Sequence, residues 1–247
     1  MNQTESLNSP TRYKEIQATI ERKPSLKLLY VEDYLKFAEC LTKCPKDGLA
    51  LEIGSGGGFL KNYIPNLTSS DIIPYEGVDQ VVDATNLPFK DNSLRAIFLH
   101  YVLHHINNAD LFFKEAQRCL KPGGRIFIID PHKGLLSRIL YSFHHEPFRP
   151  NSKSWTFPSQ GPLSDANAAL AWIIFQRDKK LFESQYPSLE ILYYQPHSPL
   201  RYWLTGGMKK WVLLPGFLFF IATQFDNLLT CISREFCTFT DIEIVKK

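Results

Sequence analysis

Between Gly48 and Gly58 the chain reads GLALEIGSGGG: a short apolar run, an acidic residue at Glu52, then glycines at the alternate positions 54, 56 and 58. Backbone without a Cβ lets a ligand approach the main chain, and the helix expected to follow presents unpaired N–H groups to it. The chemistry this permits is the cradling of a nucleotide. Asp71 closes a second run, LTSSDI, where a carboxylate can accept both hydroxyls of a ribose. Seven histidines include the doublets His104/His105 and His144/His145, the latter followed by Glu146. Neutral imidazole is the natural proton acceptor near pH 7, with an unperturbed pKa of about 6.5. No metal is expected: only His100 and His104 have the interval of four that suits two ligands on one helix, and His100 falls at a strand end.

These residues must be positioned by alternating strands and helices. The pattern predicts strands over 67–72, 78–83, 96–100 and 125–130, and an amphipathic helix over 111–120 that Lys121, Pro122, Gly123 and Gly124 turn into the fifth strand. Ahead of the first strand, apolar residues at Leu28, Leu29, Val31, Leu35, Ala38 and Leu41 predict a helix within 26–44.

Two ligand classes use such a glycine turn. The dinucleotide fingerprint G-x-G-x-x-G needs glycine at 59, where this chain has Phe59, which argues against a dehydrogenase. The string EIGSGGG instead resembles the first motif of class I S-adenosylmethionine-dependent methyltransferases. DATNLPF at 83–89 is similar to the family's third motif, and YVLHH at 101–105 looks like the stretch that follows strand four in small-molecule members. One departure is Arg95, where the family usually has an acidic residue.

The resemblance implies an α/β, Rossmann-like, doubly wound fold: a mostly parallel seven-stranded sheet with an antiparallel last strand and a lid inserted after strand five. It implies S-adenosylmethionine as cofactor, with Glu52, Gly54, Ser55, Gly56 and Gly58 at the methionine end. Asp71 and Ile72 would meet the ribose, Asp83 and Ala84 the adenine, with His100 nearby at the end of strand four. For the acceptor's proton, His145 with Glu146 is the first choice, followed by His105; His104, His132 and His144 lie in the same region. DNA amino-methylation is disfavoured, because no [DN]-P-P-[YF] follows strand four.

Composition sets further bounds. A net charge of +3 without a block of basic residues gives no sign of a nucleic-acid partner. Five cysteines without C-x-x-C pairs suit free thiols, and the polar first 25 residues contain no apolar signal region, so a cytoplasmic location is expected. The chain divides into N-terminal helices (1–47), a cofactor half (48–131), an acceptor lid rich in proline and aromatics (132–188) with a helix near 165–175, and closing strands around an apolar helix (189–247).

That apolar run, 211–225, is 15 residues long with Pro215 inside it and Asp226 after it, too short to span a bilayer. It is either a core helix joining the last two strands or a membrane-surface element with Lys209, Lys210 and Trp211 at headgroup level. The reading is therefore methyl transfer to a hydroxyl of a small-molecule, saccharide or lipid-linked acceptor. A quinone-like aromatic acceptor, and a non-catalytic subunit that docks a partner or the membrane, are the alternatives. Oligomeric state has no signature here.

Overall fold

The computed structural model describes residue 9 and residues 11–142, 146–159, 161 and 165–247. Among these, seven strands form one sheet in the order β3-β2-β1-β4-β5-β7-β6. They are β1 (Leu49–Ile53), β2 (Leu67–Asp71), β3 (Gln80–Val81), β4 (Leu94–His100), β5 (Leu120–Pro131), β6 (Leu189–His197) and β7 (Phe239–Lys246). β1 to β5 pair in parallel, and β7 runs antiparallel between β5 and β6, as the sequence pattern implied. Strand order reverses between β1 and β4, so a crevice opens beyond their carboxyl ends.

Helices cover both faces. On one, α1 (Arg12–Arg22) precedes α2 (Pro24–Thr42), where Pro24 sits in the first turn with its φ already helical. α2 buries Leu26, Leu29, Tyr30, Tyr34 and Phe37 at intervals of three and four, against Ala50, Ala96, Phe98, Phe127 and Ile129 of the sheet. On the other face, α3 (Ala109–Cys119) starts at Asn108, whose side chain accepts from Leu111 N–H at 3.1 Å, and buries Phe112, Phe113 and Ala116.

The alternation FTDIEIV in β7 normally marks a half-solvated strand, yet β7 is central and buried on both faces. Ile242 and Ile244 enter the core beside α3. Asp241 and Glu243 point the other way and are paired, Asp241 with Lys36 of α2 at 2.9 Å and with His197 at 2.8 Å, Glu243 with Arg125. Burial without these partners would cost several kcal/mol per charge, on the order expected for unpaired ions.

Four expectations need correction. No helix follows the glycine loop: only the 3-10 turn Leu60–Asn62 intervenes before β2, because the connection is short and Pro65 with left-handed Asn66 ends it. Strand β3 is two residues rather than six. The insertion after β5 is only partly a lid. It begins with α4 (Leu135–Tyr141), but α5 (Leu170–Trp172), the π turn Ile173–Arg177 and α6 (Lys179–Gln185) pack into the sheet's core, with Ala169, Ile173, Ile174, Phe175 and Phe182 fully buried. Finally, α7 (Arg201–Leu204), the 3-10 turn Gly216–Leu218 and α8 (Phe219–Ile232) do not supply a core helix. α8 buries only Phe219 and Asp226, and Phe217, Phe220 and Ile221 lie 82%, 71% and 63% exposed. No helix among the described residues is long and apolar enough to cross a membrane.

Candidate active site

The crevice beyond β1 and β4 is a single cavity of about 990 Å³ with two chemically distinct ends. At one end the glycine loop leaves β1. Gly56 has a φ of +52° and, among the described residues, no atom within 4 Å of where a Cβ would sit, so its backbone is open to a ligand in the cavity that it lines. Gly57 is tight for the opposite reason: a Cβ there would come within 2.5 Å of the Tyr13 carbonyl, so α1 lies directly on the loop.

Asp71 at the end of β2 accepts from Gly56 N–H at 2.9 Å through Oδ2 and from Ile73 N–H at 3.0 Å through Oδ1. It therefore ties the loop to β2 while lining the cavity. Asp83 accepts Thr85 N–H and Thr85 Oγ1–H on one oxygen, a local turn that fixes the segment carrying Ala84. Glu52 is buried, and burial pushes its carboxyl up to about 7. Ser55, Ile72 and His100 also line the cavity. His100 is committed elsewhere too: its Nε2 lies 3.0 Å from Asp33 of α2. Asp33 also accepts from Tyr101 Oη at 3.1 Å. Burial works to raise the Asp33 pKa, but Lys36 and His100 outweigh it and hold the carboxyl well below the usual range. Tyr101 carries a φ of +59°, a strained conformation that turns the chain sharply off β4 into the cavity wall.

At the other end stand Tyr141, Tyr202 and Trp203, with an imidazole–carboxylate wall of His104, His105 and Glu146. The 3-10 turn Leu103–His105 supplies both histidines. His104 Nδ1 meets Asp130 of β5 at 2.7 Å, and His105 Nδ1 meets the Asp165 carbonyl at 3.3 Å. Their Nε2 atoms lie 3.5 and 3.6 Å from the two oxygens of Glu146. Glu146 is held in place by buried Asn167, which accepts from Arg149 N–H at 3.0 Å and whose own N–H donates to the His104 carbonyl at 2.8 Å. Burial disfavours a charged His104, but Asp130 and Glu146 prevail and raise it to about 10. Glu146 is likewise held well below its usual value by the two imidazoles, against the effect of burial. His104 is thus a poor proton acceptor at neutral pH, and Glu146, held ionised, is a weak one; His105 is left to accept a proton, with Glu146 beside it to orient the ring.

Gly206, Gly207, Met208, Lys209 and Trp211 of one loop also line the cavity. Buried Lys23, at the junction of α1 and α2, donates to the carbonyls of Thr205, Gly207 and Trp211 at 3.0, 2.8 and 2.7 Å. One ammonium satisfies three carbonyls of this loop and fixes it to the N-terminal helices.

The structure brings together every proposed cofactor residue, together with His105 and Glu146; His145 and His144 lie outside the described residues. His132 is separate: its Nδ1 meets Tyr194 Oη at 2.8 Å, and burial lowers it to about 4. Arg95, the one departure, donates to the Lys46 carbonyl at 3.1 Å and does not line the cavity. Sequence reasoning missed Asp33, Lys23 and Asp130. Asp130 had a signal, a charged residue at the carboxyl end of a parallel strand. Lys23, between α1 and α2, and Asp33, within α2, precede the motifs and had none.

Residues 51–128 match the family model described as a methyltransferase domain. The Ubiquinone/menaquinone biosynthesis C-methyltransferase UbiE of Cellvibrio japonicus is 41% identical over 71 residues, 27% of this chain and 28% of that protein. UbiE of Desulfotalea psychrophila is 35% identical over 99 residues, 38% of each. The chain thus matches well under half the length of these relatives. Among solved structures, geranyl diphosphate C-methyltransferase from Streptomyces coelicolor A3(2) superposes over 90% of this chain and 81% of its own, with a TM-score of 0.53 at 12% identity. That likeness supports the same fold.

Proposed function

From a methyltransferase domain of the class I S-adenosylmethionine-dependent type, which this chain carries, we propose methyl transfer to a ring carbon of a hydroxylated, quinol-like aromatic acceptor with an apolar tail. The observation that carries this is the two-ended cavity, with a glycine and carboxylate cradle at one end and an aromatic chamber with an ionising wall at the other. The partial relatives named as quinone-biosynthesis C-methyltransferases favour this acceptor over a saccharide hydroxyl.

S-adenosylmethionine fits the first end: the open approach to Gly56, the carboxylates Asp71 and Asp83, and the buried acid Glu52 are suited to a nucleoside that carries a cationic amino-acid tail. Bound there, it supplies a sulfonium-activated methyl group. The chain's own residues do the rest. Tyr141, Tyr202 and Trp203, packed edge-to-face on one another, give a flat ring an aromatic wall to lie against and help exclude water. His105, with Glu146 at 3.6 Å to orient it, faces the ring hydroxyl and takes its proton, which makes the neighbouring ring carbon electron-rich; once the new carbon–carbon bond has formed, that carbon's own hydrogen leaves as a proton to solvent and the ring regains its aromaticity. The Lys23-held loop keeps the two ends in near-attack alignment.

The test is turnover of a short-tailed quinol with methyl-labelled cofactor, alongside thermal stabilisation by S-adenosylhomocysteine. Carbon-methylated product is expected, with His105→Gln lowering kcat by about 10²–10⁴ while stabilisation persists. Stabilisation without turnover on any quinol would reject the acceptor and favour the docking-subunit alternative.

A further inference from the structure

We infer that His104 Nε2, His105 Nε2 and the Glu146 carboxylate form a binding site for one divalent transition-metal ion on the acceptor wall of the cavity.

The three side chains come from two segments far apart in sequence, and their ligating atoms all lie within 4.8 Å of one another. With bonds of about 2.1 Å, a tetrahedral ion sets neighbouring ligand atoms about 3.4 Å apart. The observed separations, 3.5 Å from His104 to one Glu146 oxygen and 3.6 Å from His105 to the other, are close to that spacing, and small side-chain rotations bring the three groups onto one ion.

Tautomer chemistry points the same way. Both Nδ1 atoms already face oxygen acceptors, Asp130 for His104 and the Asp165 carbonyl for His105. Each Nδ1 therefore carries its hydrogen, and Nε2 is the ring atom that faces Glu146. An ion that displaces the Nε2 protons meets two imidazole lone pairs and a carboxylate from one side. A carboxylate or carbonyl behind each ligating imidazole is the arrangement that orients histidine ligands and strengthens them. Asp130 is fully buried and its Oδ2 has no hydrogen-bond partner among the described residues, so Asp130 and Glu146 bring two carboxylates whose charge a divalent ion balances.

The ligands are held before an ion arrives. Asn167 links the Glu146 segment to the His104 backbone through bonds of 2.8 to 3.0 Å. Two imidazoles and one carboxylate suit zinc(II) and cobalt(II), and leave a coordination position open toward the cavity. The binding claim stands on these residues alone; the role rests on the methyl-transfer reading. In that role the ion holds the acceptor's hydroxyl oxygen and lowers its pKa; in the metal-loaded chain Glu146 and His105 serve as ligands in place of the base, and the proton leaves to solvent water.

The experiment uses the tag-free full chain, stripped with chelator and titrated with cobalt(II), whose ligand-field absorption reports coordination. One ion per chain is expected, displaced by zinc(II). Binding should be lost in Glu146→Gln and in His105→Gln, and weakened about 10–100-fold in Asp130→Asn. Thermal stabilisation by S-adenosylhomocysteine, unchanged in the first two variants, shows that they are folded; its absence from the wild type would reject the cofactor pocket and leave the ion result readable. No stoichiometric cobalt in the wild type, or equal binding in the two variants, overturns the site.

Discussion

Glu52 is the penultimate residue of β1, inside the fold; its Oε2 has no hydrogen-bond partner among the described residues, and burial lifts its carboxyl to about 7. A carboxyl raised in the folded state binds a proton that the unfolded chain has released. Stability from this residue is therefore lost as pH climbs from about 4.5 to about 7. The cationic end of the cofactor reverses this preference by favouring the charged form. S-adenosylhomocysteine should consequently bind more tightly at pH 8 than at pH 6, by up to about tenfold for each unit crossed below the group's pKa. Proton release on binding, read by calorimetry at pH 6.5 in buffers of different ionisation enthalpy, checks this, and Glu52→Gln should flatten the dependence. A flat profile in the wild type would place Glu52 outside the cofactor's reach. At the same scale, His104 shows what sequence could not: its neighbour Asp130 comes from β5 and its neighbour Glu146 from the insertion, and only their convergence distinguishes it from His105.

At the scale of elements, the loop over 206–211 depends on a residue nearly two hundred positions away. Lys23 is buried and its ammonium meets three carbonyls, so removing it leaves three acceptors facing an apolar gap. Lys23→Met should cost about 2–5 kcal/mol, the range for a broken buried charged network, and raise the KM of the acceptor while the residual folded protein keeps its sheet. Denaturant unfolding and steady-state kinetics measure the two effects; an unchanged KM would mean that the loop needs no anchor. Legibility followed the same division. The strands and glycine turn were readable because parallel strands are apolar and punctuated locally, as in LALEI followed by GSGGG. The missing helix after β1, the two-residue β3 and the core role of residues 169–182 were not, since each is decided by what packs above it. α1 fills the place of the absent helix by lying against Gly57, a contact that no local pattern announces.

For the whole molecule, α8 is built inside out. The stripe facing the body is Phe219, Thr223, Asp226 and Thr230, with Asp226 accepting from Leu200 and Arg201 backbone N–H groups at 3.0 and 3.1 Å and Arg201 donating to Thr223 at 2.8 Å. Phe220, Ile221, Phe225, Leu228 and Ile232 are therefore left in solvent beside Phe217, and Leu135 and Ile139 of α4 extend the apolar surface. Full burial of each such side chain is worth about 1.5–3 kcal/mol, whereas Lys209 and Lys210 add about 1 kcal/mol each at an anionic surface. The apolar contribution should dominate, and under the proposed function the face is expected to rest on a bilayer interface, with an amphiphilic acceptor entering beside Trp211, which lines the cavity. Vesicles of phosphatidylcholine and phosphatidylglycerol should sediment the protein even in high salt. Phe217→Ser with Phe220→Ser should reduce that by at least about tenfold, and Lys209→Gln with Lys210→Gln by less, chiefly at low salt. The double phenylalanine variant should keep turnover on a soluble short-tailed quinol while losing it on a long-tailed one embedded in vesicles. If the wild type instead self-associates through this face and ignores vesicles, the covering surface is a second copy of the chain, and the acceptor reaches the cavity from water.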